Sequence, residues 1–349
     1  MADGNGKLKV VVVGTGGIAK AHMKGWMKIP DAQIVGACDR IPERAESYAK
    51  ECGAQHVFTD FEKAVKCRAD VIDVCTPNKF HTPVVLAGLA AGKHVICEKP
   101  LAITPKEIEK MISARDKAKK LLMTAQHMRF DGKSQSLKKY ISNGCLGEVY
   151  YGRAWLLRRR MTPTWGVFAS KELSGGGPGI DVGVHCLDLA MYLMNNFQPI
   201  SVTGIAPCKL AKKPGIYNRW GDIDPKTYEV EDLAVGFVRF ANGAALSLES
   251  SWMLNMPEPD IFKISMFGDK AGAVYPDLVI ADEQNRMLIN ATLAEAPQIS
   301  GHEAEIQAFF NAVTKGECSP VPPEESLQVV KVLDGIYRSH QTGKEVKLN

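Results

Sequence analysis

The sequence predicts an α/β protein of two domains: a doubly wound parallel sheet at the N-terminus, then an α+β domain built on a large, mainly antiparallel sheet. Three observations predict it. The chain has 349 residues, more than one ordinary core holds. Up to about residue 126, short β-branched runs alternate with helix-like stretches. Beyond about Gly132 the apolar runs lengthen and alternate in polarity, and two of them are joined by Asn242-Gly243, a two-residue hairpin signal. The boundary falls after residue 126, giving domains 1–126 and 127–349.

In the first domain, strands are expected at Val10–Val13, Ile34–Cys38, Val71–Cys75, Val95–Cys97 and Leu121–Ala125. They are continuously apolar, as strands buried on both faces must be. Helices are expected at Ile18–Lys28, Pro42–Cys52, Pro83–Ala91 and Pro105–Lys120, with prolines near helix starts, where a missing N–H does no harm. In the second domain a helix at Val184–Met194 precedes most of the strands. Those strands read as Glu148–Leu157, Leu233–Phe240, Ala244–Trp252, Ile261–Phe267 and Ala273–Tyr275. Residues 211–228, rich in Lys, Gly, Pro and Asp, read as a long surface loop. Helices His302–Thr314 and Glu324–His340 close the chain, and a terminal helix can pack back on the first domain.

Composition narrows the function. The chain is 45% hydrophobic and 23% charged, as globular proteins are. The net charge of +4 is spread out, and the one dense cluster, Arg158-Arg159-Arg160, is not the basic stripe of a nucleic-acid binder. No apolar run approaches the ~20 residues that span a bilayer. No apolar segment precedes Val10, so no export signal is read and the expected location is cytoplasmic. The nine cysteines form no C-x-x-C pair, and an odd count argues against a complete disulfide framework. Cys38, Cys75 and Cys97 lie in or at the ends of apolar runs and read as buried thiols in a reducing compartment.

The first motif is Val13-Gly14-Thr15-Gly16-Gly17-Ile18-Ala19, a match to G-x-G-x-x-G/A with a strand before it and a helix after it. Gly14 permits the tight turn, Gly16 the close approach of a pyrophosphate, and Ala19 the packing of helix on strand. The helix start at Gly17 and Ile18 offers free N–H groups and a positive dipole end to phosphates. Asp39, at the end of the second strand, is the acid expected on an adenosine ribose. Together these predict a Rossmann domain that binds a dinucleotide. Asp39 repels a 2′-phosphate and favours NAD; Arg40, able to stack on adenine or pair with that phosphate, keeps NADP possible. Thr76-Pro77-Asn78 ends another strand at the edge where cofactors lie. His81 nearby reads either as part of the cofactor site or as a helix-entrance residue with a structural hydrogen bond.

Two further features carry chemistry. Glu98-Lys99-Pro100 ends the strand Val95–Cys97, where a parallel sheet faces its ligand crevice. Pro100 restricts Lys99 to an extended backbone, which aims its ammonium. The second feature is the glycine-rich run Gly175–Gly179 followed by Ile180-Asp181-Val182-Gly183-Val184-His185. If helical, Asp181 and His185 share a face, and a carboxylate beside an imidazole suits it to proton transfer near neutral pH. The glycines would let the chain approach a nicotinamide ring. The competing reading is an N-cap Asp181 and a core histidine. No metal-spaced His/Cys cluster is visible, and no metal is expected.

These pieces resemble the Gfo/Idh/MocA oxidoreductases over essentially the whole chain. The matching residues are Gly14–Ala19, Asp39, Thr76-Pro77-Asn78 with His81, Glu98-Lys99-Pro100, Gln126 with Arg129-Phe130, Gly175–Asp188 and the terminal Tyr337-Arg338-Ser339 with Gly343. The resemblance implies a second sheet with one open face, a cofactor site that includes Glu98, Lys99 and Gln126, and a catalytic set of Lys99, Asp181 and His185. It implies that His185 takes the alcohol proton as hydride leaves, Asp181 orients His185, and Lys99 stabilises the developing alkoxide.

For the substrate, the segment Arg158–Phe168 offers polar donors and a tryptophan, Trp165. Lys99, Arg158, Trp165, Asp181 and His185 are the candidate substrate residues for a sugar, glycoside or cyclitol. The alternatives are a glycoside hydrolase or lyase that oxidises its sugar transiently with tightly held NAD, and a non-catalytic sensor of nucleotide or sugar. An open sheet face would expose an apolar patch, so a homo-oligomer is expected, a dimer or tetramer.

Overall fold

The computed structural model describes residues 6–294 and 296–348. The chain forms two compact units, Met1–Phe130 with Ile299–Leu327 and Asp131–Gln298 with Gln328–Asn349.

In the first unit strands and helices alternate: β1 (Leu8–Val13), α1 (Gly17–Met27), β2 (Ala32–Cys38), α2 (Pro42–Cys52), β3 (His56–Phe58), α3 (Phe61–Ala64), β4 (Val71–Val74), α4 (His81–Ala90), β5 (His94–Glu98), α5 (Pro105–Ala118) and β6 (Leu122–Ala125). The six strands form one parallel sheet in the order β3-β2-β1-β4-β5-β6. The order turns back between β1 and β4, the switch point at which ligands of such sheets bind. Val10, Val12, Ile34, Val71, Ile96 and Met123 form the centre of the core. Helix α5 starts with a capping box, Thr104 with Glu107, and Pro105 at its first turn. The sequence reading missed β3, because its three residues lie at a sheet edge and are mostly exposed, so no apolar run marks them.

The second unit contains α6 (Gly132–Ser142), β7 (Val149–Arg158), α7 (Lys171–Ser174), α8 (Val184–Leu193), β8 (Pro199–Ile205), β9 (Leu233–Phe240), β10 (Ala245–Ser251), β11 (Asp260–Gly268), β12 (Gly272–Tyr275), β13 (Val279–Gln284) and β14 (Met287–Thr292). The chain then runs through α9 (Gly301–Lys315) in the first unit and α10 (Pro323–Thr342), whose N-terminal turn belongs to the first unit and whose remainder belongs to the second. It ends in β15 (Val346–Lys347). The sheet of the second unit has nine strands in the order β14-β13-β12-β11-β7-β10-β9-β8-β15. Every neighbouring pair in it is antiparallel except β7 with β10. Asn242-Gly243 lies in the β9–β10 hairpin turn, but the loop has three residues, Ala241–Gly243, instead of the expected two, because Gly243 (φ +89) takes positive φ and Asn242 does not. The β13–β14 hairpin turns through Asn285 and Arg286, both at positive φ. Its strands are mostly exposed and mix apolar with polar residues without alternation, and an arginine stands where glycine is usual, so no local pattern marks the hairpin.

The two faces of this sheet differ. Ala154, Leu246, Leu248, Val238 and Ile264 point to the buried face. The other face presents Tyr151, Trp155, Phe237 and Phe267, all half-buried, and Ile205, which is 50% exposed. Side chains on that face lie across their neighbours: Tyr151 donates to Ser247, and Trp155 Nε1 to Glu249.

Helix α9 packs on α1 within the first unit. Trp26 meets Phe309 edge-on at 6.1 Å, and Gly25 leaves room for Ile306, which a Cβ there would meet at 2.9 Å.

Gly14 is the residue of the first turn that backbone geometry fixes. Its φ is +90, and a Cβ there would lie 2.5 Å from the carbonyl oxygen of Cys75. Gly17 has open space where a Cβ would go. Gly14→Ala should therefore cost about 2 kcal/mol or more of stability, whereas Gly17→Ala should stay within about 0.5 kcal/mol of the parent. Thermal denaturation without cofactor checks this; equal melting temperatures for Gly14→Ala and the parent would contradict it.

Candidate active site

The turn after β1 is tied to the end of β2 by Asp39. Its Oδ2 accepts from the N–H and the hydroxyl of Thr15, both at 2.9 Å, and its Oδ1 from Ile41 N–H at 3.0 Å. Gly14 N–H donates to Cys38 carbonyl at 2.8 Å. A carboxylate has about four acceptor positions, so Asp39 keeps capacity for a ligand hydroxyl. Arg40, beside it, is exposed.

The loops after β4, β5 and β6 complete this edge. Thr76, Pro77 and Asn78 follow β4, and Asn78–Phe80 forms one 3-10 turn before α4. His81 is fully buried, with Nδ1 2.8 Å from the carbonyl of Pro100 and Nε2 2.8 Å from that of Thr76. Burial holds its pKa below the usual value against these two carbonyls, so the ring is neutral and carries one N–H to share between them. It joins the backbone after β4 to the backbone after Lys99. Thr76 Oγ1 and Gln126 Oε1 are buried, and among the described residues neither has a hydrogen-bond partner. The glycine turn, the open space beside Gly16 and Gly17, the remaining capacity of Asp39 and these two orphaned oxygens fit a dinucleotide with polar groups to satisfy.

Beneath Lys99 lies a buried ionic network that the sequence reading did not find. His22, from α1, is fully buried. Its Nδ1 is 2.9 Å from Asp73 Oδ1, and its Nε2 is 3.0 Å from Glu98 Oε1. Trp26 Nε1 donates to Asp73 Oδ2 at 2.8 Å, and Lys99 N–H to Glu98 Oε2 at 3.0 Å. Burial alone would discharge His22, but the charge of Asp73 and its hydrogen bond raise its pKa well above 6.5. Burial would likewise push Glu98 up, but the hydrogen bond and charge of His22, with the charge of Lys99, hold it down at about 2. The His22 imidazolium and the Glu98 carboxylate therefore stay ionised as a pair. Glu305, from α9, adds a second carboxylate 3.9 Å from His22 Nε2 and 3.1 Å from His302 Nδ1, and His302 stacks on His127 at 3.9 Å. Burial pushes Glu305 up to about 7, and its Oε2 is buried with no hydrogen-bond partner among the described residues. These residues stand tens to hundreds of positions apart, so no local spacing announces them.

In the second unit, Asp181 lies not on an α-helix but on a π turn, Gly179–Gly183, which runs into α8; His185 is in the first turn of α8 and is buried. Asp181 Oδ2 accepts from Trp252 Nε1 at 3.2 Å. The glycines before it are required by packing inside this unit. A Cβ on Gly177 would lie 2.3 Å from Glu231 carbonyl, and one on Gly176 would lie 2.3 Å from Tyr337 hydroxyl. The carboxylate of Glu231 accepts from Gly177 N–H and Gly179 N–H and from Tyr337 hydroxyl at 2.8 Å, and so holds the start of the turn. Glu231 was absent from the sequence reading, because nothing near it in the chain marks it. Arg158 ends β7, with its guanidinium 5.1 Å over the ring of Trp220; Trp165 is 56% exposed, 5.4 Å from the same ring.

The fold thus gathers Gly14, Gly16, Gly17, Ile18, Ala19, Asp39, Thr76, Pro77, Asn78, Glu98, Lys99 and Gln126 at or just beyond the strand ends of one parallel sheet. Asp181, His185, Arg158 and Trp165 belong to the other unit.

Comparison with known proteins agrees with this arrangement. Residues 8–126 match the family model described as an oxidoreductase family, NAD-binding Rossmann fold, and residues 138–348 match its C-terminal alpha/beta domain. A D-glucoside 3-dehydrogenase of Escherichia coli is 36% identical over 98% of this chain and 97% of its own. A myo-inositol 2-dehydrogenase of Thermotoga maritima is 26% identical, over 98% of each chain. A solved structure of levoglucosan dehydrogenase with NADH and levoglucosan has the same fold, with a TM-score of 0.85 over 98% of this chain and 99% of the other, at 23% identity. Fold and edge residues define an oxidoreductase with an NAD-binding Rossmann domain. The chain belongs to the Gfo/Idh/MocA oxidoreductase family.

Glu305 sets a pH dependence of stability. Its folded pKa of about 7 lies above the usual 4.5, so between those values the native state holds a proton that the unfolded chain has released. Stability from this group therefore falls as pH rises from about 4.5 to about 7, by up to about 3 kcal/mol. Glu305→Gln, which cannot ionise, should flatten that decline and raise the melting temperature at pH 8 relative to the parent. Parallel melting-temperature profiles from pH 5 to 8 would contradict it.

Proposed function

We propose that the protein oxidises a secondary hydroxyl of a glycoside, sugar or cyclitol, or reduces the corresponding ketone, with Lys99, Asp181 and His185 as its catalytic groups. The observation that carries this reading is the setting of Lys99. It follows an interior strand, β5, at the ligand edge of the parallel sheet, and its backbone is fixed to a carboxylate held ionised by a buried imidazolium. The full-length similarity to a D-glucoside 3-dehydrogenase supports the substrate class.

Gly14, Gly16, Gly17, Ile18 and Ala19 would hold the pyrophosphate, Asp39 the adenosine ribose, and Thr76, Pro77, Asn78, Glu98, Lys99 and Gln126 the remainder of the dinucleotide; His81 supports two of these loops. NAD, when bound, supplies the hydride acceptor. The negative charge of Asp39 favours NAD over NADP, with Arg40 as the group that would let NADP compete. His185 takes the hydroxyl proton. Asp181 orients His185 and stabilises its charged form, itself steadied by Trp252. Lys99 binds the same oxygen and stabilises its developing negative charge. Arg158 and Trp165 contact the sugar.

The half-exposed aromatic face of the nine-stranded sheet supports a homo-oligomer, dimer or tetramer. The nine cysteines are all free thiols, which supports a reducing, cytoplasmic location. Among the described residues no helix is long and apolar enough to cross a membrane.

Steady-state kinetics test the catalytic assignment. His185→Ala should lower kcat by roughly 10²–10⁴ with NADH affinity nearly unchanged. Lys99→Ala should lower kcat and raise the substrate KM. Near-parental kcat in both variants would remove the mechanism. Light scattering at micromolar concentration should give a dimer or tetramer; a monomer would refute the assembly.

A further inference from the structure

An aromatic line runs through the second unit from its surface to Asp181. Trp165, 56% exposed, meets Trp220 at 5.4 Å with planes tilted by 52°. It meets Phe168 edge-on at 6.4 Å, and Phe168 meets the buried Trp252 edge-on at 6.3 Å. Trp252 donates to Asp181. Arg158 lies over Trp220, its guanidinium 5.1 Å from that ring, and brings N–H donors beside it.

This corner is preformed. Trp220 sits in the loop 211–228, which is fastened to the segment carrying Trp165. Buried Asn218 accepts from Thr162 N–H at 2.9 Å and donates to Thr162 carbonyl at 3.0 Å and Gly221 carbonyl at 2.9 Å. Arg219 N–H donates to Arg160 carbonyl at 2.9 Å, and Thr164 hydroxyl donates to Trp220 carbonyl. Two loops so firmly joined still leave an indole at the surface, so its apolar area serves something other than core packing.

We propose that Trp165, Trp220 and Arg158 form a second subsite, which holds the ring attached to the oxidised sugar. The preferred substrate is then a glycoside with two rings, a disaccharide or an aryl glycoside, rather than a free monosaccharide. The inference rests on the assignment of Asp181 to the reacting hydroxyl. Phe168 stands between Trp165 and Trp252, so a ring stacked on Trp165 is separated by a side chain from one reacting beside Asp181. The apolar face of a pyranose or phenyl ring stacks on indole, and its hydroxyls or acetal oxygen accept from Arg158.

The test compares kcat/KM for phenyl glucoside, a glucose disaccharide and methyl glucoside in the parent, Trp165→Ala, Trp220→Ala and Trp165→Phe. The parent should prefer the two-ring substrates by about three- to tenfold. In both alanine variants kcat/KM for the two-ring substrates should fall about three- to tenfold more than that for methyl glucoside, which removes the preference, and Trp165→Phe should keep most of it. Turnover of methyl glucoside with no preference in the parent, or an equal fall on all substrates in the alanine variants, overturns the subsite and leaves the dehydrogenase reading standing. NADH formation from none of the three counts against the dehydrogenase reading. The subsite is then decided by calorimetric titration with phenyl glucoside: binding weakened about three- to tenfold in Trp165→Ala and largely restored in Trp165→Phe supports it, and unchanged or absent binding overturns it.

Discussion

The ion cluster around His22 is the constraint on which the first unit depends. A fully buried imidazolium carries one carboxylate on each ring nitrogen, and a fully buried ionised group is tolerated only when so paired. The cluster joins α1, β4 and β5, three elements that meet around the switch point of the sheet. Asp73 is further fixed by Trp26, and Glu98 passes the constraint to the backbone of Lys99. An apolar substitute for His22 would leave two carboxylates facing each other in a medium of low dielectric. Stability and the placement of Lys99 therefore come from one set of contacts. Glu305 and His302 extend the cluster to α9, which explains why that helix, remote in sequence, belongs to the first unit.

The second unit solves a similar problem with one carboxylate. The start of the π turn presents free N–H groups, and Glu231 accepts two of them along with the hydroxyl of Tyr337. The glycines are small because Glu231 and Tyr337 occupy the space their side chains would need. Trp252 reaches the far side of the turn and takes Asp181. Between them, the carboxylate and the indole fix the backbone and the side chain that the proposed mechanism uses.

What could be read from the sequence was local. The run Val10–Ala19 with Asp39 carries its own geometry: only glycine fits at φ +90 against Cys75, and an acid at the second strand end has few other uses. The alternating strands around Asn242-Gly243 announced an antiparallel pair, because alternation is local too. What escaped was non-local or weakly patterned. His22 looks like one polar residue on an apolar helix face until Asp73 and Glu98 are placed beside it. Glu231 and Trp220 sit in or beside a long loop whose composition says only that it is a surface. β3 and β14 are mostly exposed edge strands and β13 is half-exposed, so burial leaves little pattern in them, and β8 carries prolyl, glycyl and polar residues among its apolar ones. The i, i+4 spacing of Asp181 and His185 suggested one α-helical face, but Asp181 lies on a π turn, Gly179–Gly183, that runs into the helix carrying His185.

The central claim is hydride transfer from a sugar carbon, and its most direct measurement is the primary isotope effect on NADH formation. Methyl glucoside carrying deuterium in turn at each secondary carbinol carbon, mixed with the protein and NAD, should form NADH more slowly when one particular position is labelled, with the label recovered in the NADH. NADH formation that carries no label from any of these positions, or no NADH from glycosides, free sugars or cyclitols at all, would contradict the account.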